Sequence, residues 1–414
     1  MPKDTKTLGN NKARACESLG FVHKKRLCQR FDTTSKNVFM SKFWIFFNCS
    51  LFLFSCHFGS EKFSEYNLPI INMPGSSICE RIELRSISDV SYVKLDTDSS
   101  YLVIGNPSCV TDSFFIFKNY KNKNIMCFDC TGKKRFLINR RGSAPEEYMG
   151  IGRLAYDEKE EELFCEAVGT GRINVYKPDG TFVRSLDLVA GYLAEMYNYN
   201  DSLLLCHARD EEEKSSFLYL LHKTIPHRIY GLDSISGDRY RSLSITKQNG
   251  SFMKGGTAPL RTIIHRNDRW IYSEPSHDTI YELSETLRLR PFLAYSPQIR
   301  KKEIPCLIRY NQETENDILI SLIEMIYDVD KDKGFPEKDY IYDREAGKMK
   351  WVSIINEDFP SDPDFNISSS VYYYSADNLR EALEKGELGG RLRELALELD
   401  EEDNGILLLM RFKE

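Results

Sequence analysis

Residues 124–137 and 172–186 repeat one pattern, and this repeat constrains the fold more than any other feature of the chain. The copies read NIMCFDCTGKKRFL and RINVYKPDGTFVRSL, and each joins two alternating strands through a tight turn that contains glycine. This is the chemistry of a β-hairpin. Two more short strands, at residues 152–158 and 162–165, lie between the copies. Four strands in a repeat of roughly 50 residues predict a blade of a β-propeller.

Further short strands follow this pattern along the chain, separated by Asn, Asp, Gly or Pro. At roughly 50 residues per blade, residues 80–414 hold about six blades, so we expect an all-β, six-bladed β-propeller. The segments predicted as strands are 79–84, 90–95, 101–104, 114–117, 202–206, 217–221, 270–272, 318–323 and 350–354.

The C-terminal region interrupts the β pattern with a helical insertion at about residues 375–400. Ser375 is a candidate helix cap, Gly386 a candidate stop, and a second apolar stripe follows over residues 390–399. The unbroken apolar run at residues 405–412 predicts a buried last strand. A propeller avoids an open sheet edge when a terminal strand completes a blade begun at the other end, so we expect this strand to close the ring.

The segment 141–188 resembles an NHL-type blade. Gly142, Pro145, Glu147 and Tyr148 match the turn of that motif, whereas Ser143, Ala144 and Glu146 depart from it. The segments 278–283, 333–343 and 376–412 are similar to the six-bladed β-propeller lipoproteins of Bacteroides-type bacteria. This resemblance covers residue 68 to the C-terminus and implies the fold and an envelope location, but no activity.

The N-terminal region has the features of an export signal. An apolar run follows Lys42 and ends at Leu53-Phe-Ser-Cys56, which resembles a bacterial lipobox. We expect a lipoprotein signal peptide at residues 40–56, acylation of Cys56, and a tether at residues 57–79; a buried strand or a plain anchor helix is the alternative. Residues 1–39 are either a translated leader before a true start at Met40 or a long basic n-region.

Charge argues against a nucleic-acid partner. Residues 1–39 and Lys42 carry ten basic and three acidic residues, so the rest of the chain has 46 basic against 59 acidic residues. Phosphate binding requires a basic surface, which this excess of 13 acidic residues does not favour.

Local motifs assign no catalytic residue, metal ligand or cofactor. Cys127 and Cys130 form a Cys-x-x-Cys pair, but zinc needs two more ligands, so we interpret the pair as structural. His222 and His227 indicate a surface loop. The remaining cysteines after the tether begins are interpreted as small apolar residues, and the acidic runs at 157–162, 210–213 and 328–332 as solvated loops rather than Ca²⁺ sites.

Three functions are compatible with these features. We expect a monomeric lipoprotein, anchored to the outer membrane of the bacterial envelope, that binds an unidentified protein or glycan ligand without catalysis. The first alternative is a propeller enzyme, such as a lactonase-like hydrolase or a lyase, with a metal in the central channel. The second is an accessory partner of a glycan-uptake system. Fold alone does not decide among them.

Overall fold

The computed structural model describes residues 68–72, 78–188, 192–210, 215–225, 228–231, 243–247, 252–255, 262–266, 268–274, 277–296, 306–328, 333–363 and 365–413. The expected leader, the signal peptide with Cys56, and the tether up to residue 67 lie outside these residues. The described part of the chain folds as a six-bladed β-propeller, as the repeats predict.

The chain enters the propeller through β1 (Ile70–Asn72), β2 (Glu80–Glu83), the single-turn helix α1 (Leu84–Ile87) and β3 (Ser88–Lys94). Blade 1 contains β4 (Cys109–Val110), β5 (Phe114–Asn119), β6 (Asn124–Asp129) and β7 (Lys134–Ile138). Blade 2 contains β8 (Ile151–Asp157), β9 (Glu162–Ala167), β10 (Arg172–Tyr176) and β11 (Phe182–Asp187), and blade 3 contains β12 (Tyr192–Asn198), β13 (Leu203–Asp210), β14 (Ser215–His222) and β15 (Ile229–Gly231). The two copies of the sequence repeat are thus the third and fourth strands of blades 1 and 2.

Two strands, β16 (Leu243–Lys247) and β17 (Phe252–Gly255), precede blade 4, which contains β18 (Ile263–Arg266), β19 (Arg269–Tyr272), β20 (Thr279–Leu283) and β21 (Leu289–Ser296). Blade 5 starts with β22 (Cys306–Glu313) and β23 (Asp317–Glu324); after β24 (Ile326–Asp328) and β25 (Lys333–Gly334) it ends with β26 (Glu337–Asp343) and β27 (Lys348–Ile355). The strands β16, β17, β24 and β25 form a separate four-stranded sheet.

The last blade joins the two ends of the propeller. It starts with β28 (Val371–Tyr374), continues through α2 (Ala376–Glu384) and α3 (Gly390–Ala396), and ends with β29 (Ile406–Phe412). β29 lies between β28 and β3 and pairs antiparallel with both, with Leu408 opposite Tyr372 and Tyr92. The predicted closing strand is therefore confirmed, and so is the helical pair. Ser375 caps α2, because its hydroxyl accepts a hydrogen bond of 3.3 Å from the Asn378 N–H.

The segment before β3 also covers the edges of two other blades. β1 pairs in parallel with β21 of blade 4, and β2 pairs in parallel with β27 of blade 5. Residues 70–72, which the sequence analysis places in the tether, are thus an outer strand of the propeller. An added strand satisfies the N–H and C=O groups that an edge strand would otherwise expose.

The hydrophobic core is divided among the contacts between neighbouring blades. In β5, Phe115 and Phe117 pack with the cluster shared by blades 6 and 1, whereas Ile116 packs with the cluster shared by blades 1 and 2. Successive side chains of a strand point to opposite faces, so each blade contributes to two such clusters. The other interfaces are filled in the same way, and the helices α2 and α3 pack into the cluster between blades 5 and 6.

The turn of the first repeat shows why glycine is required there. Gly132 has a φ of +84°, and its N–H donates to the Asp129 carbonyl at 2.9 Å. A Cβ on Gly132 would lie 2.1 Å from the Lys94 carbonyl oxygen. This turn therefore packs against the end of β3 and helps to hold blade 1 against blade 6. Among the described residues, no helix is long and apolar enough to span a bilayer.

One predicted strand is wrong. Residues 101–104 are irregular, because their main-chain groups bond to side chains instead of a neighbouring strand. The Leu102 carbonyl accepts from Asn119 Nδ2 at 3.1 Å, and the Val103 N–H donates to Asn404 Oδ1 at 2.9 Å.

Candidate functional site

The candidate site is a row of polar side chains between blades 1 and 4. In three consecutive blades the fifth residue of the second strand is polar and reaches toward the first strand of the next blade. Lys118 Nζ donates to the Gly152 carbonyl at 2.5 Å, Glu166 Oε1 accepts from the Leu193 N–H at 3.0 Å, and His207 contacts Thr262. The sequence analysis missed this row, although Glu166 and His207 are polar residues that follow apolar runs and Lys118 ends one.

The peptide bond between Gly152 and Arg153 is held from both sides. Its carbonyl accepts from Lys118, and its N–H donates to Glu166 Oε2 at 2.9 Å. The β8 strand bulges here, since its register against β9 shifts after Ile151. A Cβ on Gly152 would lie 2.1 Å from Glu166 Oε2, so only glycine allows the carboxylate to fold over the backbone.

Glu195, in the first strand of blade 3, contacts His207 of the row and accepts several hydrogen bonds. It accepts from the Thr262 N–H at 3.1 Å, from the Thr262 hydroxyl and from Tyr197 Oη at 3.0 Å, and it lies 3.3 Å from His207 Nδ1. Burial alone would raise the pKa of Glu195. The contacts with His207 and Thr262 outweigh burial and hold the pKa below its ordinary value.

The ring of His207 is fully buried and uses one of its two nitrogens. Nδ1 lies 3.3 Å from Glu195 Oε2 and 3.0 Å from Thr262 Oγ1, whereas Nε2 has no hydrogen-bond partner in the described part of the chain. Because a carboxylate only accepts hydrogen bonds, Nδ1 carries a proton toward Glu195. The edge of the ring faces Tyr272, with centroids 5.7 Å apart.

The arrangement of Thr262, His207 and Glu195 is not that of a proton relay. In a relay the nucleophile bonds to one ring nitrogen and the carboxylate orients the ring through the other. Here Thr262 and Glu195 both contact Nδ1. His207 therefore cannot take a proton from Thr262 on one nitrogen while Glu195 orients the ring through the other.

Blade 5 contains a second set of buried polar side chains, which form hydrogen bonds with one another. Arg309 Nε donates to Asn311 Oδ1 at 2.8 Å, Asn311 Nδ2 donates to Ser321 Oγ at 2.6 Å, and Ser321 donates to Asp339 at 2.5 Å. Burial raises the pKa of Asp339, and the nearby Glu337 adds to this effect. These side chains serve one another within the blade.

The Cys-x-x-Cys pair divides between a strand and a turn. Cys127 is buried in β6, and burial raises the pKa of its thiol, which keeps it protonated and unreactive. Cys130 is exposed in the turn that follows. Over the described parts of the chain, no group of three or more His, Cys, Asp or Glu side chains is placed to hold a metal ion.

The acidic runs fall in part on residues that the structure describes. The run at residues 157–162 forms the β8–β9 turn, where Asp157 accepts from the buried Lys223 at 2.5 Å and Glu162 pairs with Arg184. Residues 211–213 and 329–332 of the other two runs lie outside the described residues. His222 Nδ1 accepts from the Thr224 and Ile225 N–H groups, at 3.2 and 3.1 Å, and so fixes a turn; His227 lies outside the described residues.

The link between blades 1 and 2 contains the turn that resembles the NHL-type motif. Several hydrogen bonds fix its conformation. Tyr148 Oη accepts from the Arg140 N–H at 3.1 Å, Asn174 Nδ2 donates to the Glu147 carbonyl at 3.1 Å, and the Ala144 N–H donates to Glu147 Oε2 at 2.9 Å. The link leaves Met149 exposed at its end, just before β8.

Comparisons with solved structures give one similar fold and one weaker match. A solved structure of a protein from Bacteroides fragilis NCTC 9343, described as exported, is similar at 18% sequence identity with a TM-score of 0.59; the match covers 83% of this chain and 100% of that one. A member of the duf4221 family from Bacteroides vulgatus ATCC 8482 matches at 10% identity with a TM-score of 0.45, over 79% of this chain and 98% of that one. No curated protein matches the chain. Residues 68–411 match the model of a domain of unknown function, DUF4934, and the chain therefore belongs to this family.

Proposed function

We propose that this protein is an exported propeller, anchored to the outer membrane through an acylated Cys56, that binds a ligand without transforming it. The apolar run before Leu53-Phe-Ser-Cys56 supports export and acylation. The exported description of the structurally similar Bacteroides fragilis protein is consistent with export. Stable anchoring by lipid requires more than one acyl chain, and a diacylated or triacylated cysteine meets this requirement.

The observation that supports binding rather than catalysis is that the buried titratable groups form hydrogen bonds within the protein. Lys118 and Glu166 bond to the main chain of the next blade, and Glu195 bonds to His207 and Thr262. A catalytic acid, base or nucleophile needs a free direction toward a substrate. These side chains instead stabilise the contacts between blades, which leaves the surface loops to meet a ligand.

The runner-up is a propeller enzyme, and His207 favours it. Nε2 of this ring is buried without a hydrogen-bond partner among the described residues, and Glu195 orients the ring through Nδ1 as carboxylates orient metal-binding histidines. One histidine is too few ligands for a catalytic metal, which needs about three protein ligands. A substitution of His207 therefore distinguishes the binding function from the enzyme.

The test is to incubate the mature protein with panels of lactones, glycans and peptides, with and without added divalent metal. We expect thermal stabilisation by a binding ligand and no product. Turnover that requires metal, and that His207→Gln abolishes in a protein that melts like the wild type, would replace the binding function with the enzyme. His222→Gln, in an exposed turn, is the matched control.

A further inference from the structure

Three segments meet at one end of blades 1 and 2. They are the turn at residues 118–123, the link at residues 139–153 and the turn at residues 168–172. Lys118 of the first segment donates to Gly152 of the second, and the Val168 N–H of the third donates to the Gly150 carbonyl at 3.0 Å. Lys118 Nζ also lies 5.1 Å from the centre of the Tyr120 ring, which places that ring beside the link. We name this surface the basic end.

The charge of the basic end is opposite to that of the chain. Its three segments hold seven basic and two acidic residues, and Asp187, which lies opposite Arg172 in the β10–β11 pairing, adds a third acidic residue; the whole chain has a formal charge of −6. None of the nine side chains in the segments forms an ion pair within the described part of the protein, but Lys118, Arg140 and Arg153 donate to the main-chain carbonyls of Gly152, Gly180 and Leu193. In contrast, Lys159, Lys177 and Arg184, at the opposite end of blade 2, all pair with carboxylates. The basic residues of the basic end are Lys118, Lys121, Lys123, Arg140, Arg141, Arg153 and Arg172.

Large apolar side chains lie exposed among these cations. Met149 is 71% exposed, Tyr120 is 60% exposed and Val168 is 51% exposed. Exposed apolar groups of this size, clustered rather than scattered, mark a surface that is covered by a partner. Tyr, Met and Arg are the residue types enriched in protein interfaces.

The basic end is held in one conformation before any partner binds. Tyr148 Oη bonds to both the Lys123 carbonyl and the Arg140 N–H, each at 3.1 Å, so the first segment and the link are fixed to each other. Tyr176 Oη donates to the Glu146 carbonyl at 2.9 Å and fixes the link to blade 2. A surface that is already ordered loses little conformational entropy on binding.

We propose that the basic end binds a segment of a partner protein in which carboxylates stand beside apolar side chains. The carboxylates are complemented by the cations whose side chains form no ion pair or hydrogen bond in the described part of the protein, which are Lys121, Lys123, Arg141 and Arg172. Tyr120, Met149 and Val168 complement the apolar groups. A purely anionic glycan would use the cations and would leave Met149 and Val168 exposed to water. The inference rests on the proposed binding function and names the class of ligand.

The test selects short peptides from a random library on the immobilised mature protein and then measures their affinity by fluorescence anisotropy. We expect the selected peptides to combine Asp or Glu with apolar residues, and to bind more weakly as salt is added. The Lys121→Glu, Arg141→Glu double variant should weaken binding about tenfold or more, and so should the Tyr120→Ala, Met149→Ala double variant. Lys133→Glu and Val183→Ala, exposed positions elsewhere on blades 1 and 2, are the matched controls and should bind normally.

Three results would overturn the inference. They are a failure to select any binder, selected peptides without acidic residues, and affinity that is unchanged in either double variant. Polygalacturonate is measured in parallel; if it binds through the cations while Tyr120 and Met149 make no difference to any ligand, the site is one for anionic glycan. None of these results involves turnover, so they are distinct from the failure of the proposed function.

Discussion

Removal of the last strand should unfold the propeller. A chain that ends at Asn404 lacks β29, which lies at the centre of its sheet, so both β28 and β3 lose their hydrogen-bonding partner. Five large apolar side chains that are buried in the intact protein are lost with it. Each stabilises the fold by about 1.5–3 kcal/mol, which gives about 7–15 kcal/mol in total. A domain has only about 5–15 kcal/mol of stability. The five residues are Ile406, Leu407, Leu408, Met410 and Phe412.

The assay is urea unfolding followed by tryptophan fluorescence and circular dichroism. A chain that ends at Phe412 is the control, since it retains every residue of β29. Addition of a synthetic peptide with the sequence of residues 404–414 should raise the urea concentration at which the truncated chain unfolds, because the peptide binds only the folded arrangement of β28 and β3. If the chain that ends at Asn404 unfolds at the same urea concentration as the control, β29 does not close the ring.

The remaining predictions concern the anchor and the row between the blades. Cys56→Ala should abolish incorporation of labelled fatty acid and release the protein from the membrane fraction; labelling that persists would exclude Cys56 as the acylated residue. Gly152→Ala should lower the free energy of unfolding by about 1–3 kcal/mol, because Glu166 must leave the Arg153 N–H; Gly150→Ala, whose Cβ would meet Val168 at 3.3 Å, is the milder control, and equal loss in both variants contradicts the prediction. The depressed pKa of Glu195 stabilises the folded protein above the ordinary carboxyl pKa of about 4.3, and this stabilisation is lost as the pH falls through the depressed value. Glu195→Gln should therefore make the free energy of unfolding less dependent on pH below about 4, and an unchanged dependence would show that Glu195 does not carry the effect.

Structural features that depend on residues close together in the sequence could be predicted. The hairpins at residues 124–137 and 172–186, the cap at Ser375 and the apolar run of β29 each follow from local chemistry, and the structure confirms them. The irregular course of residues 101–104 could not be predicted, because its hydrogen bonds come from Asn119 and from Asn404, far along the chain.

The candidate site was hidden for a related reason. Glu195 and Thr262 meet only because the first strands of blades 3 and 4 are adjacent, and nothing in the sequence near either residue indicates the other. The polar residue at the fifth position of each second strand is a local signal, but its meaning depends on an alignment of the blades. The parallel pairing of β1 and β2 likewise depends on strands more than 200 positions later in the sequence.

The placement of the first three strands has a consequence for how the molecule is made. β1, β2 and β3 belong to blades 4, 5 and 6, so each must wait for a partner from the last part of the chain. During synthesis, which proceeds from the N-terminus, β3 has no strand to pair with until β29 has emerged. Blades 1, 2 and 3 can form earlier from strands that follow one another, but the ring cannot be completed while the chain is still growing. In a nascent chain with this topology the ring of blades is still incomplete during late steps, such as passage through a translocation channel. The protein acquires its full stability only after its release.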